Sequence, residues 1–329
     1  MSKPFLVEAA LEIEPAPLPF CPYPRAADVA SHGVQPLPHA LPLVDLFGSR
    51  RFRSQRYTAV PASALSNPQV LQLAQVVADA FARREPQSRY LRPAARPPAS
   101  VQAATHEDPF GRERFGPWTR ERLLYWFIRL CVLTNPTSPR SAVTINRDVL
   151  SQSLAILDDR GEVIGGALNE TMPPADAAPA MRTDDPFLSA AWGFVGPILE
   201  MLLEQDDEAL GALCRAYPAF RDAYEAGRVG HHFMVARSDA LPKADAFELV
   251  AASATHYRWL GFEYMLVEAT NQWTGAACEA LAGVRVHFSP FRRRRLLAAG
   301  YVRPDETTTM DGYLSDKDSG SMFYVIRLI

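Results

Sequence analysis

Apolar residues change their spacing along the chain, and each change marks an element. QRYTAVPA reads as a strand. In NPQVLQLAQVVADAFARRE, Val70, Leu73, Val76, Val77, Ala80 and Phe81 recur at i, i+3 and i+4. This predicts an amphipathic helix with Ser66 or Asn67 as its cap and Pro68 in its first turn. WTRERLLYWFIRLCVLTN crowds Leu123, Tyr125, Trp126, Phe127, Leu130 and Cys131 onto a helix that is apolar on most sides and must therefore be buried. The β-rich runs SLAILDD and EVIGGALNE flank an Asp-Arg-Gly turn and predict a hairpin, and Gly165 and Gly166 inside the second run point to a bulge or a close backbone approach.

Residues 184 to 227 read as helical, with Gly193, Gly196 and Pro197 expected to bend or break the first helix. GHHFMVARS then reads as a strand. KADAFELVAASATHYRWLGF reads as a helix with Phe247, Val250, Ala251, Ala254 and Tyr257 on one face. EYMLVEAT follows as a strand and NQWTGAACEALAG as a helix, which completes a β-α-β-α unit. VRVHFSPF and SMFYVIRLI read as strands, while RRRRLLAAGYV between them fits more than one state.

Proline-rich stretches divide the chain. Residues 1–54 form an N-terminal arm whose prolines disfavour helix, with enough Leu, Val and Phe to pack on the body or serve a homodimer contact. Residues 55–329 read as one domain with helical insertions at about 95–150 and 172–228. His106, Glu107 and Asp108 lie in a polar, proline-rich stretch where an acidic run is expected to be solvated rather than to hold a metal.

The 329 residues are 48% hydrophobic and 22% charged, enough to bury a substantial core. A net charge of -3 argues against a nucleic-acid-binding domain, which would carry a basic balance. The run Arg292 to Arg295 reads as a solvated face or as a site for a phosphate-rich ligand or acidic partner. Cys21, Cys131, Cys214 and Cys278 lack the close pairing of a zinc or redox motif. The first residues lack a continuous apolar run, and no stretch approaches the ~20 apolar residues of a membrane span, so a cytoplasmic protein without membrane partners is expected.

The strand and helix order, the hairpin SLAILDDRGEVIGGAL, the strand GHHFMVA with a helix ending in WLGF, and the stretch MLVEATNQWTGAACEALAG together resemble the GNAT N-acyltransferase superfamily. The likeness covers roughly residues 55 to 329. It implies an α/β fold, with a mixed, mostly antiparallel central sheet flanked by helices and carrying helical insertions. It also implies transfer of an acetyl or longer acyl group from acetyl-CoA or another acyl-CoA to a small-molecule or peptide amine, by direct attack with general-base help. VVADAFARREPQSRYL is similar to the first helix of arylalkylamine-type members, which places Phe81, Glu85 and Pro86 on a motif whose glutamate is the base.

His231 and His232 are further base candidates, because consecutive strand residues face opposite ways and one of them should face the cleft. Seven residues past Asn271, where many members place an acidic tyrosine, stands Cys278, with Thr274 one turn earlier on the same face. The resemblance implies a donor lying along Met234, Val235, Ala236 and Arg237, at the helix start Lys243 and Ala244, and against Thr270 and Asn271. One departure stands out. The turn ARSDALPKADAF contains no glycine, although close backbone approach to phosphate favours glycine there. An acyl-carrier-protein donor, or a non-catalytic module that binds a ligand or partner in the same cleft, is the alternative.

Overall fold

The computed structural model describes residues 57–84, 99–135, 143–172, 186–270, 272–281, 284–290 and 320–328. The arm, Glu85 with Pro86, Asn271 and the arginine run 292–295 lie outside the described residues.

Strand β1 (Tyr57–Pro61) leads through a 3-10 turn to helix α1 (Asn67–Arg84). At the entry to α1, the Ser66 backbone N–H donates to Gln69 Oε1 at 3.0 Å, half of a capping box. Val70, Leu73, Ala74, Val77 and Ala78 are buried, as the spacing requires. The next segment holds helix α2 (Ala99–Ala103), strands β2 (Thr105–Asp108) and β3 (Gly111–Arg114), and helix α3 (Arg120–Phe127), which continues as a π-helical turn through Val132. The α3 segment is buried as expected, while β2 and β3 form a hairpin where the sequence suggested a polar loop.

The expected solvation of this stretch fails at His106 and Asp108 and holds only at Glu107. The His106 ring packs against Trp126 and Phe187, and the Asp108 carboxylate is fully buried against Arg129. A guanidinium supplied from the π-helical turn after α3 compensates the buried charge, and local composition carries no trace of that partner.

Helix α4 (Arg147–Gln152) precedes the expected hairpin of β4 (Leu154–Asp158) and β5 (Val163–Thr171). Asp158 Oδ1 accepts from the N–H groups of Arg160 and Glu162, and Gly161 takes a φ of +77° that closes the turn. Helix α5 (Pro186–Ala216) runs unbroken through Gly193, Gly196 and Pro197, contrary to the expected bend or break. Burial at both ends outweighs the donor that the proline lacks: Phe187, Leu188, Ala191 and Phe194 enter one cluster, and Ala209, Leu210 and Leu213 another. The remaining elements are α6 (Pro218–Glu225), β6 (Val229–Arg237), α7 (Lys243–Trp259), β7 (Tyr264–Ala269), α8 (Gln272–Ala280), β8 (Val284–Pro290) and β9 (Gly320–Arg327).

Seven strands form one sheet in the order β1-β4-β5-β6-β7-β9-β8, with β6 and β7 parallel and every other neighbouring pair antiparallel. One face packs on α1, α3, α5 and α6. The other carries α7 and α8, where Val250, Ala254 and Tyr257 meet Met265, Val267 and Ile326. The close approach expected at the paired glycines is real. A Cβ on Gly166 would lie 2.4 Å from Leu73 Cδ1 of α1 and 2.6 Å from the Leu154 carbonyl oxygen.

Candidate active site

The two parallel strands part company in mid-sheet. β6 and β7 pair from Val229 opposite Tyr264 to His232 opposite Val267 and no further, although β6 runs on to Arg237 and β7 to Ala269. A register shift on the other side of β6 sets Met234 opposite Leu168 and His232 opposite Asn169, so Phe233 has no residue opposite it on β5. Beyond His232 the β7-facing edge of β6 has no ladder partner among the described residues, and a gap opens between the strands. His231 and His232 sit at its closed end.

The two histidines take opposite faces of the sheet and acquire opposite electrostatics. His231 Nδ1 lies 3.0 Å from Glu170 Oε1 on β5, and its Nε2 lies 3.6 Å from Glu268 Oε2 on β7. The second distance allows ion pairing but exceeds a hydrogen bond. Burial opposes a charge on His231. The contacts with Glu170 and Glu268 outweigh that and hold the imidazole well above its usual range.

Asp206, from α5, shares a hydrogen bond with Glu268. Burial, reinforced by the Glu268 charge, raises its carboxyl to about 10, so it is protonated at neutral pH. The Glu170 side chain is 36% exposed whereas those of His231 and Glu268 are 6% exposed, so the cluster runs from solvent at Glu170 to a buried carboxyl pair.

His232 faces α7. Asn169 Nδ2 donates to the Gln152 carbonyl at 2.8 Å and to Ser253 Oγ at 3.2 Å, which fixes Asn169 Oδ1 as the acceptor for His232 Nδ1–H at 2.8 Å. Burial, then the neighbouring charge on His231, lowers His232 to about 3 and keeps it neutral. The same layer carries His256, whose Nε2 reaches the Ser151 carbonyl at 2.7 Å. Asn169 and His256 thus satisfy two of the free carbonyls at the C-terminus of α4. A group that ionises near pH 3 is a poor base for an ammonium ion, whereas His231 faces two carboxylates.

The glycine-free turn is built on arginine. Arg84, the last residue of α1, donates to the Arg237 carbonyl at 2.8 Å and pairs with Asp239, while Arg237 donates to the Leu241 carbonyl at 2.7 Å. Pro242 precedes α7, and no side chain caps the helix, whose first residues are Lys243 and Ala244. Unpaired helix N–H groups and two guanidiniums therefore meet at the end of β6, an arrangement suited to an anion.

Met234 and Ala236 are buried towards α1 and α3, and Val235 packs towards α7. Thr270 follows β7, and Thr274 lies partly exposed in the first turns of α8. Cys278 is fully buried among Met322, Tyr324 and Ala277, and burial pushes its thiol far up, which suits packing rather than proton donation. Glu170, Glu268, Asp206 and Arg84 escaped the sequence reading. For Asp206 and Glu268 the signal was an acid placed on an apolar pattern: Asp206 shares the i, i+3, i+4, i+7 stripe with Ala209, Leu210 and Leu213, and Glu268 alternates with Leu266 in MLVEA.

Among the described residues, no cluster of His, Cys, Asp and Glu is arranged to hold a metal, and no helix is long and apolar enough to cross a membrane. No family profile matches the chain, and no curated protein matches it in sequence. Solved structures do. A putative arylalkylamine N-acetyltransferase 7 from the yellow fever mosquito Aedes aegypti superposes with a TM-score of 0.50 at 11% identity, over 88% of this chain and 92% of that one. The C-terminal condensation domain of Ebony, in complex with beta-alanyl-dopamine, gives 0.47 at 12% identity over 83% and 99%. Arylalkylamine N-acetyltransferase 2 from Aedes aegypti gives 0.46 at 13% identity over 83% and 99%.

Proposed function

We propose that this chain, which has the GNAT acyltransferase fold, moves an acyl group from a coenzyme A thioester to an amine in the gap between β6 and β7. The observation that carries this reading is the coincidence, at the last paired rung, of an opened strand edge and the Glu170–His231–Glu268 cluster. Attack on a thioester needs the amine free of its extra proton. His231 is the base. It takes that proton when neutral and passes charge through Nδ1 to Glu170, which reaches solvent. The diphosphate of the donor fits the α7 N-terminus with Arg84 and Arg237, whose full charges substitute for the backbone approach that glycine would give. Thr274, in the first turns of the helix that follows β7, supplies a hydroxyl for the leaving sulfur in this reading. Glu85, directly after Arg84 in the sequence, is the second candidate base.

The sign of the pH dependence follows from His231. Its ionisation is raised well above 6.5, so the neutral form accumulates only at alkaline pH and kcat/KM rises with pH through that range. Thiol release from acetyl-CoA and longer acyl-CoA donors, across a panel of primary amines, tests the reaction. Glu170→Gln should move the acid limb of the profile down towards 6.5, and Glu85→Ala measures the share of the second base. A carrier-protein-borne acyl group is the alternative donor, favoured by the glycine-free turn and by the Asp239 charge within it. Turnover with acyl carrier protein but not with coenzyme A thioesters would select that donor, and no turnover with either would leave a ligand-binding module. A reducing, cytoplasmic setting fits Cys131, Cys214 and Cys278, which form no disulfide among the described residues.

A further inference from the structure

The Tyr257 hydroxyl bonds two strands at once. Its oxygen lies 2.7 Å from the Glu170 carbonyl on β5 and 2.9 Å from the His231 carbonyl on β6, and it donates towards both. These residues stand opposite each other in the ladder, and their side chains make the 3.0 Å contact between Glu170 Oε1 and His231 Nδ1. The hydroxyl comes from the other face of the sheet. Tyr257 belongs to α7 and is fully buried, with its ring over Gly230 and edge-on to Phe262 at 4.9 Å between centroids. Only a residue without a Cβ leaves room for the ring at Gly230.

The strand pair is weakest beside this rung. β5 shifts register against β6 between Leu168 and Asn169, one residue before Glu170. Such an irregularity disrupts the ladder locally. Side chains alternate across a sheet, so a slip of one residue would carry the Glu170 carboxylate to the α7 face, away from His231. Bonds from a third element to both backbones oppose that slip.

Resting on the acyltransferase reading, we infer that Tyr257 is a positioning residue for the base: its hydroxyl fixes β5 against β6 so that the Glu170 carboxylate stays on His231 Nδ1. Being fully buried, it acts through that pair. Burial, and then the Glu170 charge, raise the hydroxyl well above 10, so it remains a donor through the alkaline range in which His231 loses its proton. The other groups facing His231 are Glu268 from β7 and the protonated Asp206 from α5, with neutral His232 next to it on β6. The Glu170 contact is the one that spans the two carbonyls bonded by Tyr257.

Tyr257→Phe removes the hydroxyl and keeps the ring. NMR titration of the imidazole-labelled full chain, with no substrate present, follows His231 directly. In Tyr257→Phe its ionisation should fall by about one unit towards 6.5, as the hold of Glu170 loosens. In thiol-release assays kcat should fall about tenfold while KM for acetyl-CoA stays within about twofold, because a misplaced base weakens the transition state and not donor binding. Thr255→Val is the control. It removes another buried hydroxyl of α7, one bonded to the Ala251 carbonyl within the same helix, and should leave both readouts as in the parent. Circular dichroism establishes that each variant is folded. Gly230→Ala, which displaces the ring with its hydroxyl intact, should lower His231 in the same way and decides the matter should Tyr257→Phe fail to fold.

An unchanged His231 titration in folded Tyr257→Phe, or an equal shift in Thr255→Val, would overturn the assignment; the second result means a loosening of α7 as a whole. The titration needs no turnover, so the outcome for the reaction is separate. A shifted His231 without thiol release on any donor keeps Tyr257 as the tie and removes the acyltransferase. Thiol release, with kcat and titration both indifferent to Tyr257→Phe, does the reverse.

Discussion

Arg129 is buried, and its five N–H groups are all engaged: by Asp108 through Nε at 2.6 Å and Nη2 at 2.8 Å, by the Gly111 carbonyl at 2.7 Å, by Tyr125 Oη at 3.1 Å and by Glu113. Removing the guanidinium strands the Asp108 charge, which is fully buried. Arg129→Met should therefore cost about 3–5 kcal/mol in urea unfolding. Arg129→Met combined with Asp108→Asn should recover part of that loss. His232 gives a second prediction at this scale. Free of the fold it takes up a proton below its usual 6.5, but in the folded chain only near 3. Its contribution is complete above 6.5 and is lost as pH falls towards 3. His232→Gln should shrink the fall in Tm between pH 7 and pH 4.5. Both histidines were legible as consecutive polar residues in an apolar strand, whereas their division into a charged and a neutral imidazole was not. That division comes from burial, which lowers His232, and from Glu170, which lies beside His231 only through the antiparallel register of β5 and β6.

Helix and strand identities were legible wherever periodicity and turn chemistry agreed, as in α1 with its Ser66–Gln69 entry and in the β4–β5 turn with Gly161. The short β2–β3 hairpin was not, because its support is the Arg129 network rather than an alternating apolar pattern. Pro197 misled for a related reason. A single missing donor within a helix buried at both ends is outweighed by packing that the local sequence does not display. The glycines of the strands are exact fits to helices. A Cβ on Gly230 would stand 2.4 Å from the Tyr257 ring, and the Tyr257 hydroxyl lies 2.7 Å from the Glu170 carbonyl and 2.9 Å from that of His231. Gly230→Ala must push α7 from the sheet beside the site. It should destabilise by about 1–3 kcal/mol and disturb the His231 pH profile as well. Gly166→Ala, which meets α1 instead, should match the first effect without the second.

Across the whole molecule, the succession of the seven strands of the main sheet along the chain was readable because each carries its own signal, while the gap between β6 and β7 depends on pairings that stop where no sequence feature requires it. The open end of that gap shows how the fold accommodates a turn without glycine. Glycine would let backbone N–H groups close on a phosphate, whereas Arg84 and Arg237 act through charge at longer range. Burial and the neighbouring Arg84 charge both lower Arg237, the mark of two cations held together with Asp239 as their local counterion. A diphosphate would relieve that repulsion. Arg84→Ala and Arg237→Ala should each raise KM for acetyl-CoA by about tenfold with kcat little changed, because the lost interaction holds donor and transition state alike. Raising the salt from 50 to 500 mM should weaken the parent more than the double variant. Equal donor KM in parent and double variant at low salt would place the donor elsewhere than at the start of α7.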